Sequence, residues 1–552
     1  MNKRSTEPNR TRRDLLKAGA IAAASLSAPS ILLAGAPYVP SRRAYDLVLR
    51  GGAVLDGSGT PARRLDIAVT AGRIVAMQPA VADRGTEEID ARGMTVAPGF
   101  IDIHSHGDGG LRDDPRMESV IRQGITSIVV GADGSSRFSG DAGNSFAAWE
   151  ARTNALRPSV NIASMIGLGT VRGAVVGESD RRASASEMAR MTAMVERAVS
   201  EGACGASSGL EYTPGAFASE SELVALCRPL SARGLSYATH MRNEDDQLLE
   251  SIDESIAVAR GARCGLQVSH LKQQGTRNWS KIDACFARLR AARAEGIAAW
   301  FDVYPYVAYA TGLTNLFPTW SRDGGDAAFL ARLADPATAP RIRQEVLAKV
   351  ELIGGWDNVQ ISRVARAEDR DAEGKRLGTW AAAQQQDPYE AVVGLLRRNN
   401  TDVGMLGFAM SEDNLDRLLA HEFSMVCSDG GGFAIDGPTR RGSPHPRGAG
   451  TFPRVLGRYV RERRALSLEQ AVHRMTARPA SRVRLSDRGL LAVGMAADIV
   501  VFDPATVSDT ATFANPFQYP VGIVHVVVNG YWSLRNGERP GDGTGRVLRV
   551  AS

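Results

Sequence analysis

The chain has 552 residues, of which 43% are hydrophobic, so it can bury the core of one large domain and that of a smaller one. Its net charge is +5, but basic and acidic residues are interleaved along the chain, which argues against a nucleic-acid-binding surface. The five cysteines show no C-x-x-C spacing, which argues against a disulfide framework or a zinc ribbon.

Residues 1–36 are predicted to form a targeting segment. The stretch 11–17, which contains Arg12 and Arg13, resembles the twin-arginine export motif, and an alanine-rich stretch follows it. That stretch is too short and too weakly apolar for a stable transmembrane helix. We therefore expect a periplasmic or secreted protein exported by the twin-arginine route, with a basic amphipathic N-terminal helix as the alternative.

Short alternating apolar runs separated by glycine-containing turns mark both ends of the remaining chain. Such runs are typical of β-strands joined by hairpins, and they occur at 46–49, 66–69 and 73–76 and again at 497–502 and 524–530. We predict one small β-sandwich domain built from residues 41–96 together with 486–552.

The middle of the chain, residues 97–485, alternates short apolar strands with helical stretches. This alternation predicts a parallel α/β structure, specifically a (β/α)8 TIM-like barrel. The stretch 326–401 is rich in Ala, Arg and Glu and predicts a helical insertion. The clearest barrel strands are expected at 126–131, 161–166, 235–239, 264–269, 298–303 and 424–428.

His104 and His106 end an apolar run that begins at Phe100. Side chains alternate along a strand, so both imidazoles lie on one face and can form half of a metal site. The alternative, a pair of solvated histidines in a turn, is less favoured because the chain has only 8 histidines.

Three other predicted strands also end in metal-binding residue types. His240, His270 and Asp429 directly follow the strands at 235–239, 264–269 and 424–428. In a (β/α)8 barrel the chemistry lies at the carboxyl ends of the strands. The ordered series of HxH, His, His and Asp therefore predicts a metal-dependent active site.

This ordered series is the pattern of the amidohydrolase superfamily, and further stretches resemble the family of N-acyl-D-amino-acid deacylases (D-aminoacylases). The resemblance covers nearly the whole chain after the targeting segment. It implies a zinc enzyme with one or two ions, which activates water to release a D-amino acid and a carboxylate from a small N-acyl-D-amino acid. The stretches that carry the resemblance are 205–215, 240–244, 269–272, 302–306, 445–447, 450–454 and 494–500.

The chain departs from this family at one metal ligand. The family has a cysteine in a Gly-Asn-Cys-Gly turn after the second barrel strand, whereas this chain has Asp133 in the corresponding turn. We expect Glu211, near the end of the fourth strand, to supply the missing bridging ligand, with Asp133 as second choice or in a supporting role. The alternative for Glu211 is a helix-capping or surface carboxylate. The full set of expected metal ligands is His104, His106, Glu211, His240, His270 and Asp429.

Asp429 is also expected to be the catalytic group, because an amine leaves an amide only after it has been protonated. By resemblance, Lys272, Tyr304 and Arg447 hold the α-carboxylate of the substrate. Two other functions stay open: a cyclic amidase of the dihydroorotase or hydantoinase type, and a non-catalytic periplasmic binding protein. The absence of a lysine at the end of strand four argues against the first, and the intact Asp429 against the second.

Overall fold

The structure is a computed structural model that describes residues 44–550, and the predicted targeting segment lies outside these residues. Within the described part of the chain, no helix combines the length and the apolar character that a membrane span requires.

Eight parallel strands form the predicted (β/α)8 barrel, which confirms the fold class. The third strand is interrupted at Met165, and its two halves pair with the second and the fourth strand. The backbone amide of Asp429 donates to the carbonyl of His104 at 2.9 Å, which joins the eighth strand to the first. The strands, numbered one to eight below, are Phe100–Asp102, Ile125–Val130, Asn161–Ser164 with Ile166–Gly167, Gly205–Gly209, Ser236–His240, Gly265–Val268, Ala299–Val303 and Ser424–Val426.

The barrel strands are short, nearly continuous buried runs, as expected where both faces of a parallel sheet are covered. The helices around them are amphipathic. In the helix Ala185–Glu201, for example, Met191, Met194 and Val195 face the core, and Ser184 caps the first turn. The helices are Glu118–Ile121, Phe146–Ala155, Leu168–Val175, Ala185–Glu201, Glu220–Ser231, Leu248–Ala262, Ile282–Ala294, Gly325–Arg332, Ala339–Leu352, Leu377–Ala383, Pro388–Arg398, Glu412–Ala420, Arg447–Arg454, Val455–Glu462, Leu468–Met475 and Ala477–Arg482.

The two ends of the chain meet in the small β-domain, as the sequence predicts. Thr95–Pro98 pairs with Ile499–Phe502 in antiparallel fashion, so strands from both ends share one hydrogen-bonded sheet. Leu47, Ile67 and Val527 are among the side chains of its apolar core. The strands of this domain are Tyr45–Val54, Arg63–Thr70, Arg73–Gln78, Gly85–Asp90, Thr95–Pro98, Ile499–Phe502, Ile523–Val528 and Tyr531–Arg535.

The segment between the seventh and eighth barrel strands is less helical than its composition predicts. It contains a three-stranded antiparallel sheet, in which Val403–Phe408 lies between Ala308–Gly312 and Val359–Val364. Val359 and Ile361 are fully buried, but the alternation of apolar and polar residues in this strand is too short to stand out in the sequence between alanine- and arginine-rich helices.

A buried polar cluster around Asp498 connects the β-domain to the barrel. The carboxylate of Asp498 accepts hydrogen bonds from the side chain of Asn161, on the third barrel strand, at 3.1 Å and from the backbone amide of Asn529 at 2.7 Å. It also pairs with the guanidinium of Arg488, which is only 3% exposed. Asp498 therefore neutralises a cation that has little access to water.

We predict that Asp498→Ala lowers the free energy of unfolding by about 3–5 kcal/mol, because it removes the buried partner of Arg488 and leaves this cation only its contact with the exposed Asp487. Thermal unfolding of purified protein measures the effect as a fall in Tm. Asp90→Ala is the matched control, since the ion pair of Asp90 with Arg92 is exposed and its loss should leave Tm unchanged. Equal Tm values for the two variants would contradict this prediction.

Candidate active site

Side chains from the first, second and eighth barrel strands meet at the carboxyl end of the barrel. Nε2 of His104 and Nε2 of His106 lie 3.2 Å and 3.3 Å from Oδ2 of Asp133. The same two nitrogens lie 3.4 Å and 3.2 Å from Oδ1 of Asp429. Two imidazoles and two carboxylates therefore point at one small volume.

His240 and His270 lie beside this group, at the ends of the fifth and sixth strands. Nδ1 of His240 is 2.9 Å from Nε2 of His270, and Nε2 of His270 is 3.5 Å from Oδ1 of Asp133. Asp133 therefore contacts histidines on both sides. Its Oδ1 is buried and has no hydrogen-bond partner within the described chain, so it is free to bind a cation.

In three of these histidines, the ring nitrogen that faces away from the shared volume lies beside a carboxylate. Nδ1 of His104 donates to Asp302 at 3.2 Å, and Nε2 of His240 donates to Glu211 at 3.2 Å. Nδ1 of His270 lies 3.0 Å from Glu244 and 2.7 Å from Nζ of Lys272. A partner at one ring nitrogen fixes the orientation of a ring whose other nitrogen binds a metal. The rings are thus held with one nitrogen toward the shared volume.

These residues fit one or two divalent cations. Each of two groups can bring its ligand atoms within 4.8 Å of one another, and Asp133 belongs to both. The first group is His104, His106, Asp133 and Asp429, and the second is Asp133, His240 and His270. Imidazole and carboxylate are the ligand types of catalytic zinc sites.

Two further groups of potential ligands are less suited to a metal. One contains His104, Asp302 and Cys427, but burial and the neighbouring acids raise the pKa of the Cys427 thiol well above its usual value. The other contains Glu211, His240 and Glu244. There Glu211 contacts the ring nitrogen of His240 that faces away from His270.

The carboxylates give the site a field that favours positive charge. Burial opposes the protonation of His106, yet hydrogen bonds and charge from Asp133 and Asp429 raise its pKa to about 9. For His270, burial and Lys272 lower the pKa, but Glu244, Asp133 and Asp429 raise it to about 9. The same negative charge that stabilises these protons would stabilise a bound metal cation in their place.

Three of the converging residues have backbone conformations that non-glycine residues rarely adopt. The φ angles are +51° for Asp133, +34° for His270 and +49° for Asp429, all in the left-handed region. Such strain clusters at functional sites, where the surrounding structure imposes it. Here it turns three side chains inward directly after their strands.

The structure separates the two candidate bridging carboxylates. Glu211, the expected bridge, contacts His240 alone among the histidines, whereas Asp133 lies between the two histidine groups. The geometry therefore places Asp133 at the shared position. The sequence analysis favoured Glu211 and kept Asp133 as the second choice, because both follow barrel strands and only the tertiary fold sets their distances to the histidines.

All the metal-site residues except the fully buried His104 line a cavity of about 440 Å³. Lys272, Tyr304 and Arg447, the expected substrate-binding residues, all line it. Nζ of Lys272 is 2.6 Å from Glu244, and Nη1 of Arg447 is 2.7 Å from Asp429. The Arg447 guanidinium lies over the Tyr304 ring at 4.6 Å from its centroid, and the Tyr304 hydroxyl has no partner in the described chain.

Three functional positions had no assigned role in the sequence-based prediction. Asp302 and Glu244 orient histidines, and Asn315, which follows the seventh strand, donates to Glu211 at 3.1 Å. Asp302 and Glu244 lie in stretches that resemble the deacylase family, which was the available signal. By contrast, His445, in the stretch 445–447 that also resembles the family, packs beside Tyr306 and donates a hydrogen bond to the carbonyl of Ala308.

Comparison with known proteins agrees with this geometry. Residues 87–349 and 432–531 match the model of the amidohydrolase family. An N-acyl-D-glutamate deacylase from Alcaligenes xylosoxydans xylosoxydans is 36% identical, with 91% of this chain and 96% of the relative covered.

Two solved structures extend the similarity to the whole fold. An N-acyl-D-glutamate deacylase from Bordetella bronchiseptica, in complex with zinc and a phosphonate inhibitor, is 34% identical with a TM-score of 0.78, over 92% of this chain and 99% of that one. A D-aminoacylase with a binuclear metal centre is 33% identical with a TM-score of 0.77, over 92% of this chain and 100% of that one. The matched family model and these full-length similarities show that the chain belongs to the amidohydrolase family.

Proposed function

We propose that this protein is a metal-dependent hydrolase of linear amides that releases a D-amino acid and a carboxylate from an N-acyl-D-amino acid. The observation that carries the proposal is the convergence of four histidines with Asp133 and Asp429 beside a cavity that Arg447 also lines. Full-length relatives named for the deacylation of N-acyl-D-amino acids support it.

His104, His106, Asp133, His240, His270 and Asp429 would hold a divalent metal, which would lower the pKa of a bound water and offset negative charge at the scissile carbonyl. Asp429 is placed to accept the proton of the attacking water and to deliver it to the leaving amine. Its Oδ1 faces His104 and His106, while its Oδ2 pairs with Arg447. Burial raises the pKa of the Asp429 carboxyl, but the charges of Arg447 and the neighbouring histidines lower it well below its usual value. Arg447 thereby keeps Asp429 ionised.

Arg447, Lys272 and Tyr304 are proposed to bind the α-carboxylate. A guanidinium can form a bidentate hydrogen bond with a carboxylate, and the unpartnered Tyr304 hydroxyl can donate to the same group. Because Lys272 and Arg447 already pair with acids, they are buried cations held in fixed positions. Substrate binding therefore needs little further ordering of these side chains.

Zinc is proposed as the working metal, with Asp133 in place of the thiolate of typical family members. Each of the two ligand groups offers two imidazoles, with two carboxylates in one group and one in the other, and both ligand types bind zinc. Oxygen ligands are chemically harder than the cysteine thiolate that Asp133 replaces. The zinc in the related Bordetella structure supports this choice.

The two other functions have less support. The full-length relatives act, by name, on linear N-acyl amino acids, which disfavours a cyclic amidase. A pure binding protein would have no use for Asp429, which contacts both HxH imidazoles and Arg447.

We predict that the zinc-loaded protein hydrolyses N-acetyl-D-amino acids and leaves their L-enantiomers intact. Chelation should abolish the activity and added zinc restore it, as measured by amine release. Asp429→Asn should keep its metal but lose turnover by roughly 10²- to 10⁴-fold, the usual contribution of a proton-transfer group. Hydrolysis that survives chelation, or a wild-type rate in Asp429→Asn, would overturn the proposed mechanism.

We further predict that Asp133→Asn loses more zinc than Glu211→Gln. Asp133 lies in both ligand groups, whereas Glu211 acts on a metal only through His240, an effect of roughly 10- to 100-fold in affinity. Elemental analysis after dialysis against graded zinc concentrations measures the difference. Asp133→Cys is the control and should retain zinc, because thiolate is a good zinc ligand. The reverse order, with zinc lost only in Glu211→Gln, would restore Glu211 as the bridge.

Export by the twin-arginine route is proposed from Arg12 and Arg13 in the stretch 11–17. We predict that the double variant Arg12→Lys, Arg13→Lys stays in the cytoplasm, whereas the parent chain reaches the periplasm or the medium. Immunoblots of cell fractions test this, with Lys3→Arg as a control for charge changes outside the motif. Equal export of both chains would contradict the proposed route.

A further inference from the structure

The acid beside His240 is held by residues that lie outside the barrel strands. Nδ2 of Asn315 donates to Oε2 of Glu211 at 3.1 Å, and Nη2 of Arg322 donates to the backbone carbonyl of Glu211 at 2.8 Å. Both donors belong to residues 304–423, which connect the seventh and eighth barrel strands and are called the inserted segment below. The inserted segment therefore fixes both the carboxylate and the backbone of Glu211.

A third side chain of the inserted segment, Lys349, supplies positive charge. It lies on the helix Ala339–Leu352 and lines, with Glu211 and Asn315, a cavity of about 210 Å³ beside the catalytic one. Burial lowers the pKa of the Lys349 ammonium, but the charges of Glu211 and Asp245 raise it above its usual value. Nζ of Lys349 lies 2.6 Å from Oδ2 of Asp245. Lys349 therefore offsets the charge of two buried carboxylates.

The other two carboxylates beside metal-site histidines are supported from within the barrel. Asp302, beside His104, accepts a hydrogen bond from the backbone amide of His270 at 2.8 Å. Glu244, beside His270, pairs with Lys272 at 2.6 Å. Both supports come from the end of the sixth strand and the loop after it. The contact of the inserted segment with the histidine environment is thus made at the fourth strand, through the acid that faces His240.

The orientation of His240 depends on the carboxylate of Glu211. Nε2 of His240 lies 3.2 Å from Oε2 of Glu211, and its Nδ1 lies 2.9 Å from Nε2 of His270, on the side of the shared volume. A carboxylate at Nε2 holds the imidazole proton there and leaves the lone pair of Nδ1 for a metal. If Glu211 turned away, the ring of His240 could rotate or change tautomer.

A buried carboxylate stays in place only if its charge is offset. Glu211 is 8% exposed, and its hydrogen-bond partners His240 and Asn315 offer no full positive charge when the histidine is neutral. Arg322 is a nearby cation, but it also holds the backbone of Glu211. Lys349 acts on the carboxylate by charge alone, since it makes no hydrogen bond to Glu211 within the described chain.

We propose that Lys349 is a positioning residue for the metal site, which acts through Glu211 and His240, so that the inserted segment controls how tightly one metal ion is held. The ion concerned is the one that Asp133, His240 and His270 can bind. The group that contains the HxH pair should not depend on Lys349. This inference rests on the proposed metal-dependent function.

The test measures zinc binding to metal-free Lys349→Met and Lys349→Arg by calorimetric titration. Methionine removes the charge but keeps an unbranched side chain, whereas arginine keeps the charge. We expect Lys349→Met to weaken the binding of one zinc ion by roughly 10-fold, in the range for groups that orient a metal ligand, and Lys349→Arg to restore most of the affinity. Anomalous scattering from crystals at limiting zinc should show the loss in the group that contains His240.

A double variant separates this role from a purely structural one. Lys349→Met leaves Asp245 without its ion-pair partner, so a general loss of stability could also release zinc. Adding Asp245→Asn removes that unpaired charge but still leaves Glu211 without Lys349. We expect the double variant to regain Tm but not zinc affinity. Recovery of both would overturn the proposal and leave Lys349 only its pair with Asp245.

Arg343→Met is the matched control on the same helix. Arg343 forms exposed ion pairs with Asp387 and Glu390, so its loss should leave zinc affinity unchanged. An equal loss of zinc in this control would assign the effect to the helix in general and overturn the role of Lys349. Wild-type zinc affinity in Lys349→Met would overturn it as well.

These measurements use zinc and no substrate, so they are independent of the proposed hydrolysis. If the wild-type protein hydrolyses no N-acetyl-D-amino acid but Lys349→Met still weakens one zinc ion, the deacylase function fails and the positioning role of Lys349 stands. If the wild-type protein hydrolyses these compounds but Lys349→Met binds zinc normally, the positioning role fails and the deacylase function stands.

Discussion

The hydrogen bonds between histidines and carboxylates are the constraint on which the site depends. Each of His104, His240 and His270 has a carboxylate at the ring nitrogen that faces away from the shared volume. Without these partners the rings could rotate or change tautomer, and the facing nitrogens would no longer converge. The barrel supplies these partners from other strand ends, Asp302 from the seventh, Glu211 from the fourth and Glu244 from the fifth, so the closure that forms the fold also aligns the ligands.

Charge balance links this metal site to the substrate cavity. Several buried carboxylates in a small space repel one another unless cations offset them. The structure offsets Asp429 with Arg447 and Glu244 with Lys272, and it leaves the histidine-lined volume for a metal. Burial raises the pKa of the Glu211 carboxyl, but its hydrogen bond with His240 and the charge of Lys349 lower it overall.

Much of this protein could be predicted before its fold was known. The alternation of strands and helices predicts the barrel, and His104, His106, His240, His270 and Asp429 are identified by their positions directly after strands. These predictions succeed because they depend on local order along the chain. In a parallel barrel the carboxyl ends of all strands meet at one edge.

What the sequence by itself determined was therefore the fold class, the family resemblance and the residue types of the site. Only the tertiary structure placed Asp133 between two histidine groups and Glu211 behind His240, because both acids follow barrel strands and their separations depend on strand register and loop path. It also decided the partners of the cavity cations. An ion pair such as that of Arg447 and Asp429 forms where side chains from distant segments are packed together, and no pattern along the chain encodes that distance.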